Sequence, residues 1–177
     1  MTHVALLRGI NVGGKNIVPM KALAQIFADA GCTDVRTYIQ SGNVVFEPPK
    51  KSAKLADATA AAIEKQFGFA VPVVIRSSDE LRAVIRDNPY LKKAANDKAL
   101  HVYFLATAPT ATAIATLDPN RSAPDAFHVA GHHIYLHLPN GMGRTKLTNA
   151  YFDSKLATIC TARNWATILK LAEMAEA

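Results

Sequence analysis

The stretch Val35-Arg-Thr-Tyr-Ile-Gln-Ser-Gly-Asn-Val-Val-Phe-Glu47 decides the fold of this chain. Two runs rich in β-branched and aromatic residues, 35–40 and 43–47, flank the dipeptide Ser41-Gly42. Such runs, joined by a short segment that contains glycine, are typical of a β-hairpin. Pro48 and Pro49 follow at once, and proline cannot donate to a sheet, so we expect the hairpin to end there.

Upstream of the hairpin, residues 3–8 predict a strand with apolar residues on both faces. A glycine-rich loop follows over residues 9–18, and Pro19 suits the first turn of a helix because its missing N–H would be unpaired there. The helical stripe then consists of Met20, Leu23, Ile26 and Phe27, and Gly31 ends it.

Downstream, the pattern predicts a helix over 55–67 that stops at Gly68, a strand over 71–76 and a short helix that reaches Ile85. The order β-α-β-β-α-β is that of the ferredoxin-like, or split βαβ, unit. We therefore assign residues 1–91 to an N-terminal ferredoxin-like half.

A similar cycle follows the polar linker 92–98. Its pattern predicts a strand at 100–106, a weak helix at 110–117, a hairpin at 126–138 that turns at Gly131-His132, and helices near 146–157 and 162–175. Residues 98–177 thus form a C-terminal β-α-β-β-α-α half. The predicted class is α+β, with duplicated ferredoxin-like units, mainly antiparallel sheets and extra C-terminal helices, the halves packed as one compact unit.

Composition excludes several classes of protein. Of 177 residues, 50% are hydrophobic and 19% charged, which excludes a disordered chain. No apolar run approaches the ~18 residues that a membrane helix needs, so no membrane partner is expected. Two cysteines, Cys32 and Cys160, form neither a disulfide framework nor a four-ligand zinc pattern, which favours a cytoplasmic location.

The basic excess, a net charge of +6, is spread along the chain. Basic against acidic residues number five to three in 1–50, nine to six in 51–100, three to two in 101–150 and three to three in 151–177. A dedicated DNA-binding protein concentrates such charge on one helix or arm. Any nucleic-acid interaction must therefore depend on a local cluster.

The loop Gly9-Ile-Asn-Val-Gly-Gly-Lys15 matches G-x-x-x-x-G-K, but Asn16 stands where a P-loop needs Ser or Thr to hold Mg²⁺. The helix is also predicted to start about four residues after the lysine, and a hairpin replaces the crossover of a P-loop fold. The sequence therefore argues against Walker-type nucleotide hydrolysis.

A less specific anion site remains open. Gly9, Gly13 and Gly14 allow a ligand to approach the backbone closely, and cationic or amide donors come from the flanking residues Arg8, Asn11, Lys15 and Asn16. In a β-α-β-β-α-β chain the first loop and the hairpin turn lie at one end of the sheet, so we expect Ser41 and Asn43 beside them. The alternative is a tight connection whose polar groups only cap the turn and helix.

The quoted hairpin, together with Ala5-Leu-Leu-Arg-Gly-Ile-Asn-Val-Gly-Gly-Lys-Asn16 and Val18-Pro-Met20, resembles the N-terminal signature of domain-of-unknown-function family 1697. Lys146-Leu-Thr-Asn149, Thr161-Ala-Arg-Asn-Trp165 and Leu169-Lys-Leu171 resemble its C-terminal block. The resemblance implies a bacterial cytosolic α+β protein with duplicated ferredoxin-like elements. It implies no activity.

The C-terminal block supplies further candidate ligand-binding residues. Thr145 is a predicted N-cap, Lys146 and Asn149 share a face at i and i+3, and Arg163 with Asn164 opens the final helix, where anions are favoured. Ordinary capping and surface pairing would explain the same residues. Trp165 has apolar helical neighbours and is predicted to lie in the core.

Five of the six histidines lie between residues 101 and 137. A two-residue turn at Gly131-His132 puts His128, His133, Tyr135 and His137 on one face of the hairpin. Three imidazoles can bind Zn²⁺ or Ni²⁺ opportunistically, but the hairpin 126–138 itself contains no acid or cysteine. We expect a solvated polar face, no metal site and no cofactor.

Three functions remain open. The first is binding of a phosphate-bearing small molecule or a nucleic-acid backbone at the glycine-rich loop. The second is a phosphoryl or acyl-phosphate hydrolase, since acylphosphatases share the element order and use an Asn near the phosphate, here Asn43. The third is a non-catalytic protein-interaction module.

Overall fold

A computed structural model describes all residues from Met1 to Ala177. The chain divides into two compact units, one made of Met1–Arg82 with Lys170–Ala177 and the other of Ala83–Leu169. Eight strands form two four-stranded antiparallel sheets, and with six helices they make an α+β protein, as predicted.

The first unit contains the elements predicted for it. Their bounds are β1 His3–Leu7, α1 Met20–Asp29, β2 Thr33–Tyr38, β3 Asn43–Glu47, α2 Leu55–Phe67 and β4 Val73–Ser77. The helix α3, Ser78–Arg86, follows, and its residues from Ala83 onward belong to the second unit. The strand order is β2-β3-β1-β4. β1 and β3 therefore occupy the centre, which explains why β1 is apolar on both faces.

One face of this sheet packs against α1 and α2. Alternate residues of β1 and β3, namely Ala5, Leu7, Val44 and Phe46, meet Leu23, Ile26 and Phe27 of α1 and Ile63 of α2 in one buried cluster. α1 presents these residues at spacings of three and four, which is the helical period. Gly68 ends α2 with a left-handed φ of +81°.

The second unit repeats this plan. Its elements are β5 Leu100–Leu105, α4 Ala111–Ala115, β6 Ala126–Ala130, β7 His133–His137, α5 Asn149–Leu156 and β8 Cys160–Asn164. The helix α6, Trp165–Glu176, follows, and its residues from Lys170 onward belong to the first unit. The strand order β6-β7-β5-β8 matches that of the first sheet position by position. A core that includes Tyr103, Leu105, Leu136, Phe152 and Cys160 joins the sheet to α5.

The predicted order β-α-β-β-α-α for the second half was wrong, because residues 160–164 form the strand β8. The final helix begins at Trp165 rather than at 162. The misread segment Cys160-Thr-Ala-Arg-Asn164 is short and mixed in polarity, and it is a strand because it pairs with β5 along its whole length. Tertiary pairing overrides such weak local signals.

The two units share a further detail. Arg76 of β4 and Arg163 of β8 pair with the central residues Val4 and Val102, and each donates from Nη1 to the carbonyl of its preceding residue at 2.7 Å. In each unit the next residue caps the following helix. Ser77 Oγ accepts from the N–H of Glu80, and Asn164 Oδ1 accepts from that of Thr167.

Candidate functional site

The glycine-rich loop is a short hairpin in its own right. Lys15 N donates to Val12 O at 3.0 Å, and Asn11 N donates to Asn16 O at the same distance. Both central residues of the turn have positive φ, +57° for Gly13 and +73° for Gly14, as a type I′ turn requires. Nothing lies within 4 Å of a Cβ placed on either glycine, so their N–H groups sit on an open tip.

Two asparagines, also at positive φ, fasten this hairpin to the fold. Asn11 Nδ2 donates to Val18 O at 3.0 Å and to Gln40 O at 2.8 Å, while its Oδ1 accepts from Val18 N at 2.9 Å. Asn16 Nδ2 donates to Gly9 O at 3.0 Å. These amides, predicted as ligand donors, hold the loop in shape: Asn11 uses both of its amide hydrogens within the chain, and Asn16 uses one.

The turn between β2 and β3 lies beside the glycine-rich loop, as the topology predicted. Besides the Asn11–Gln40 bond, Leu7 N donates to Gly42 O at 2.8 Å. Asn43 is fully buried, and its Nδ2 donates to Tyr38 O at 3.1 Å and to Ser41 Oγ at 3.0 Å. Both amide hydrogens of Asn43 are therefore used to shape the turn.

These two segments form what we term the loop surface, residues 8–18 and 38–43. It carries the cations Arg8 and Lys15 and no acidic residue. Lys15 is exposed and Arg8 is partly buried, its N–H bonded to Pro72 O at 3.1 Å. Three aliphatic side chains of the surface are also exposed: Val12 (66%), Ile17 (55%) and Ile39 (50%).

Ile39 is conformationally unusual. Its φ of +49° is left-handed, a region that β-branched residues avoid. Such strain costs about 1–3 kcal/mol and concentrates at functional sites. The loop surface therefore combines a strained residue with an ordered, exposed turn.

The C-terminal candidates lie in the second unit, and the helix predicted for them begins later than expected. α5 starts at Asn149 and is capped by Thr148, whose Oγ1 accepts from Tyr151 N at 3.3 Å, so Thr145 is not the N-cap. Lys146 precedes the helix and shares no helical face with Asn149. Asn149 Nδ2 instead donates to Cys160 O at 3.1 Å, which anchors the start of β8.

Arg163 and Asn164 do not open a helix either, since both belong to β8. Arg163 is buried, donates to Thr161 Oγ1 at 2.9 Å, and burial lowers its pKa to about 10. It stays cationic at neutral pH. Asn164 caps α6 as described above. Trp165 is buried, as predicted, and Cys160 is buried too. Arg163-Asn164 stands before α6 as Arg76-Ser77, at the end of β4, stands before α3. This parallel is the sequence signal that would have located β8.

The histidine face forms as predicted, since His128 pairs with Tyr135 and β7 places His133 and His137 two residues to either side of it. The prediction that this face is solvated is wrong for Tyr135, its central residue, which is only 1% exposed. Its hydroxyl is buried without a hydrogen-bond partner. Burial, and to a lesser degree the Asp87 carboxylate, raises the pKa of Tyr135 to about 12.

We expect Tyr135→Phe to leave the free energy of unfolding at neutral pH unchanged or to raise it by about 1 kcal/mol, because the lost hydroxyl is buried and unbonded. The tyrosine ionises near pH 10 in the unfolded chain but only near pH 12 in the folded one. Between these pH values ionisation stabilises the unfolded state alone, so the free energy of unfolding of the wild type falls as the pH rises. The variant should lose less over this interval. Urea denaturation across the pH range measures both effects.

Tyr103→Phe is the matched control, since Tyr103 is equally buried but donates to Leu147 O at 3.1 Å. Its loss leaves that carbonyl unpaired and should cost about 1 kcal/mol. Equal destabilisation by both variants would contradict the assignment of Tyr135 as unbonded.

No helix in the structure has the length and apolar character needed to cross a bilayer. No group of three or more His, Cys, Asp or Glu side chains is arranged to hold a metal ion.

Comparison with known proteins agrees with the resemblance read from the motifs. Residues 1–135 match the profile of a family described as "Protein of unknown function (DUF1697)". A solved structure, that of the conserved bacterial protein SP0830 from Streptococcus pneumoniae, is 21% identical with a TM-score of 0.75, over 99% of this chain and 98% of that one. At this identity the likeness concerns the fold. No curated protein matches the chain.

Proposed function

The chain belongs to the DUF1697 family of proteins of unknown function, and from that premise we propose that its loop surface binds a phosphate-bearing ligand. The observation that carries the proposal is an ordered turn with two consecutive glycine N–H groups at an open tip, flanked by Arg8 and Lys15 with no acidic residue in the surface. Backbone N–H groups and cations together favour anions.

The exposure of the tip favours an extended ligand. Small-molecule sites are concave and enclose most of the ligand, whereas Gly13, Gly14 and Lys15 are all exposed. A nucleic-acid backbone needs no enclosure and is held by contacts to phosphates. The exposed Val12 and Ile17 offer apolar contact to sugars or bases beside it. The phosphodiester backbone of single-stranded RNA is therefore the ligand that we favour.

Fluorescence anisotropy with a short labelled RNA tests the proposal. We expect Lys15→Gln to weaken binding about tenfold and to reduce the slope of log affinity against log salt by about 0.7, the value for one lost phosphate contact on a single strand. Arg8→Gln should act in the same direction.

Lys54→Gln is the matched control for this test. Lys54 is exposed, and its replacement by glutamine removes the same charge as Lys15→Gln. It precedes α2, however, at the end of the sheet opposite the loop surface. Binding that falls equally in Lys54→Gln and Lys15→Gln would reflect net charge alone and would refute the site. Nucleotides and sugar phosphates in parallel titrations show whether a small ligand binds instead.

A second candidate, a protein-interaction surface, is favoured by the three exposed aliphatic side chains Val12, Ile17 and Ile39. Exposed apolar clusters mark such surfaces. If the partner is a second copy of the chain, light scattering should show concentration-dependent association that Ile17→Asn abolishes. Asn43, which the hydrolase alternative would place at the phosphate, is buried with both amide hydrogens in use, so no observation favours that alternative.

We also propose a cytoplasmic location. The two cysteines are buried free thiols, which suits a reducing compartment.

A further inference from the structure

The strand β6, Ala126–Ala130, lies at the edge of the second sheet and pairs only with β7. In an antiparallel sheet, successive residues of a strand direct their N–H and C=O groups to opposite sides. At the two ends of β7, His132 O accepts from Leu105 N at 2.8 Å, and Leu138 N donates to Ala99 O at 2.7 Å. The even-numbered residues here therefore bond towards β5, and the odd-numbered residues of β7 bond towards β6.

This alternation identifies which groups of β6 face outward. The residues of β6 opposite the odd-numbered positions of β7 are Ala126, His128 and Ala130, so these three bond to β7. The N–H and C=O groups of Phe127 and Val129 then point away from the sheet. Both residues are only half-buried, and no other hydrogen bond in the chain reaches their backbone groups.

The other three sheet edges carry features that hinder pairing with another strand. β2, which holds the corresponding place in the first sheet, has a bulge and an ion pair of 3.0 Å between Arg36 and Asp34. β4 follows directly on Pro72, and in β8 the N–H of Cys160 donates to Asp153 Oδ1 at 2.9 Å. Bulges, charges and prolines are the usual protections of an edge strand. β6 has an unbroken register and contains no proline, Asp, Glu, Lys or Arg.

The sequence of β6 is also complementary to itself. Ala126-Phe-His-Val-Ala130 runs from a small residue through a large apolar one to the central histidine, and then through the same classes in reverse. We infer that β6 pairs antiparallel with β6 of a second copy of this chain, about a two-fold axis at His128.

The hydrogen bonds select this register. Phe127 then lies opposite Val129 of the second copy, and each such pair of outward-facing residues exchanges two hydrogen bonds. A shift by two residues in either direction leaves one outward-facing residue of β6 opposite a residue beyond the end of the strand. Only the register centred on His128 pairs every outward N–H and C=O of both strands within β6.

The side chains suit the same arrangement. Phe127 and Val129 pack with Ala113 of α4 against the core of the second unit, so they lie on the helix-covered face of the sheet. Across the axis they meet as pairs of an aromatic and a β-branched residue, which stabilise antiparallel strands. The strand brings no acidic residue, lysine or arginine against its copy. Association of a free edge with its own copy is a closed, isologous contact.

Sedimentation velocity at concentrations from about 1 μM to about 1 mM tests the inference, since an interface of two five-residue strands belongs to the small, weak class. We expect a reversible equilibrium between monomer and dimer. Val129→Pro removes an outward N–H and leaves the bonds to β7 in place, as an edge strand tolerates. It should weaken the dimer at least tenfold, with an unchanged circular dichroism spectrum.

His128→Asp is a second variant that does not alter the backbone. The His128 side chain is exposed, and two aspartates directly opposite each other across the axis repel. This dimer should also be weakened at least tenfold, and added salt should restore part of the loss. Gln66→Asp adds the same charge on the exposed face of α2 and should leave the dimer intact.

Ile17→Asn distinguishes this contact from association through the loop surface, because Ile17 belongs to the first unit and β6 to the second. The β6 dimer should persist in Ile17→Asn. The inference is overturned if the wild type stays monomeric at every concentration, which would leave the edge to other extended chains. It is equally overturned if both Val129→Pro and His128→Asp dimerise like the wild type, or if Ile17→Asn abolishes the dimer.

Discussion

Replacement of Gly42 by alanine is expected to lower the free energy of unfolding by about 3 kcal/mol or more. A Cβ at this position would lie 2.7 Å from Leu7 Cβ and 2.9 Å from Ile10 Cδ1, and the Leu7 Cβ is fixed by its own backbone. Both neighbours are 1% exposed, so they have no room to move aside. The left-handed φ of +81° adds the strain that any L side chain suffers there.

Gly68 offers a control with the same backbone conformation. Its φ is also +81°, but a Cβ there would have nothing within 4 Å. Gly68→Ala should therefore cost only the conformational strain, about 1 kcal/mol. The difference between the two variants, about 2 kcal/mol, isolates the cost of overpacking the turn against β1.

Urea denaturation followed by far-UV circular dichroism measures both variants under one condition. Should Gly42→Ala prove no more destabilising than Gly68→Ala, the close approach of the hairpin turn to Leu7 and Ile10 would be wrong. The loop surface would then lack its rigid support.

The first unit could be predicted from sequence because its signals are local. The hairpin at 35–47 is indicated by two β-rich runs and a glycine-containing turn that are adjacent in sequence. Gly68 and Pro19 mark helix ends through their own backbone preferences. The proximity of the glycine-rich loop to the Ser41–Gly42 turn followed from the element order alone. The roles of Asn11 and Asn16 did not follow, because an amide suited to a ligand is equally suited to a carbonyl of the chain.

The second unit was harder to predict because its signals depend on distant residues. β8 is a strand through its pairing with β5, almost sixty residues earlier in the chain. Lys146 was selected for a helix face that does not exist, yet it lies in a pocket with Arg121 and Asp125. No spacing rule links residues from two irregular connections, since their meeting is set by the sheet between them.

The second large effect is expected at Asn11, which connects the glycine-rich loop to the rest of the first unit. Asn11→Ala removes three side-chain hydrogen bonds, two to Val18 and one to Gln40, and puts alanine at a φ of +53°. Each hydrogen bond contributes about 1 kcal/mol at most, and less here because water can replace part of it at this partly exposed site. The strain adds about 1 kcal/mol, so the free energy of unfolding should fall by about 3 kcal/mol.

Asn11→Gly separates these causes, because glycine loses the same bonds but adopts positive φ without strain. It should be about 1 kcal/mol less destabilising than Asn11→Ala. In both variants we expect faster hydrogen exchange at the Val18 amide, which loses its acceptor, Asn11 Oδ1. An unchanged exchange rate at Val18 would contradict the role of Asn11 in fastening the loop.

RNA-binding measurements on the Asn11 variants test whether the ordered conformation of the glycine-rich loop matters for function. If the loop surface holds RNA, Asn11→Gly should weaken the complex about tenfold although Asn11 offers no donor to the ligand, because the free loop must then be ordered on binding. The salt slope should stay at its wild-type value, whereas Lys15→Gln reduces it. Affinity that falls without a change of slope identifies Asn11 as a positioning residue. Wild-type affinity in Asn11→Gly would mean that the preformed turn contributes nothing to binding.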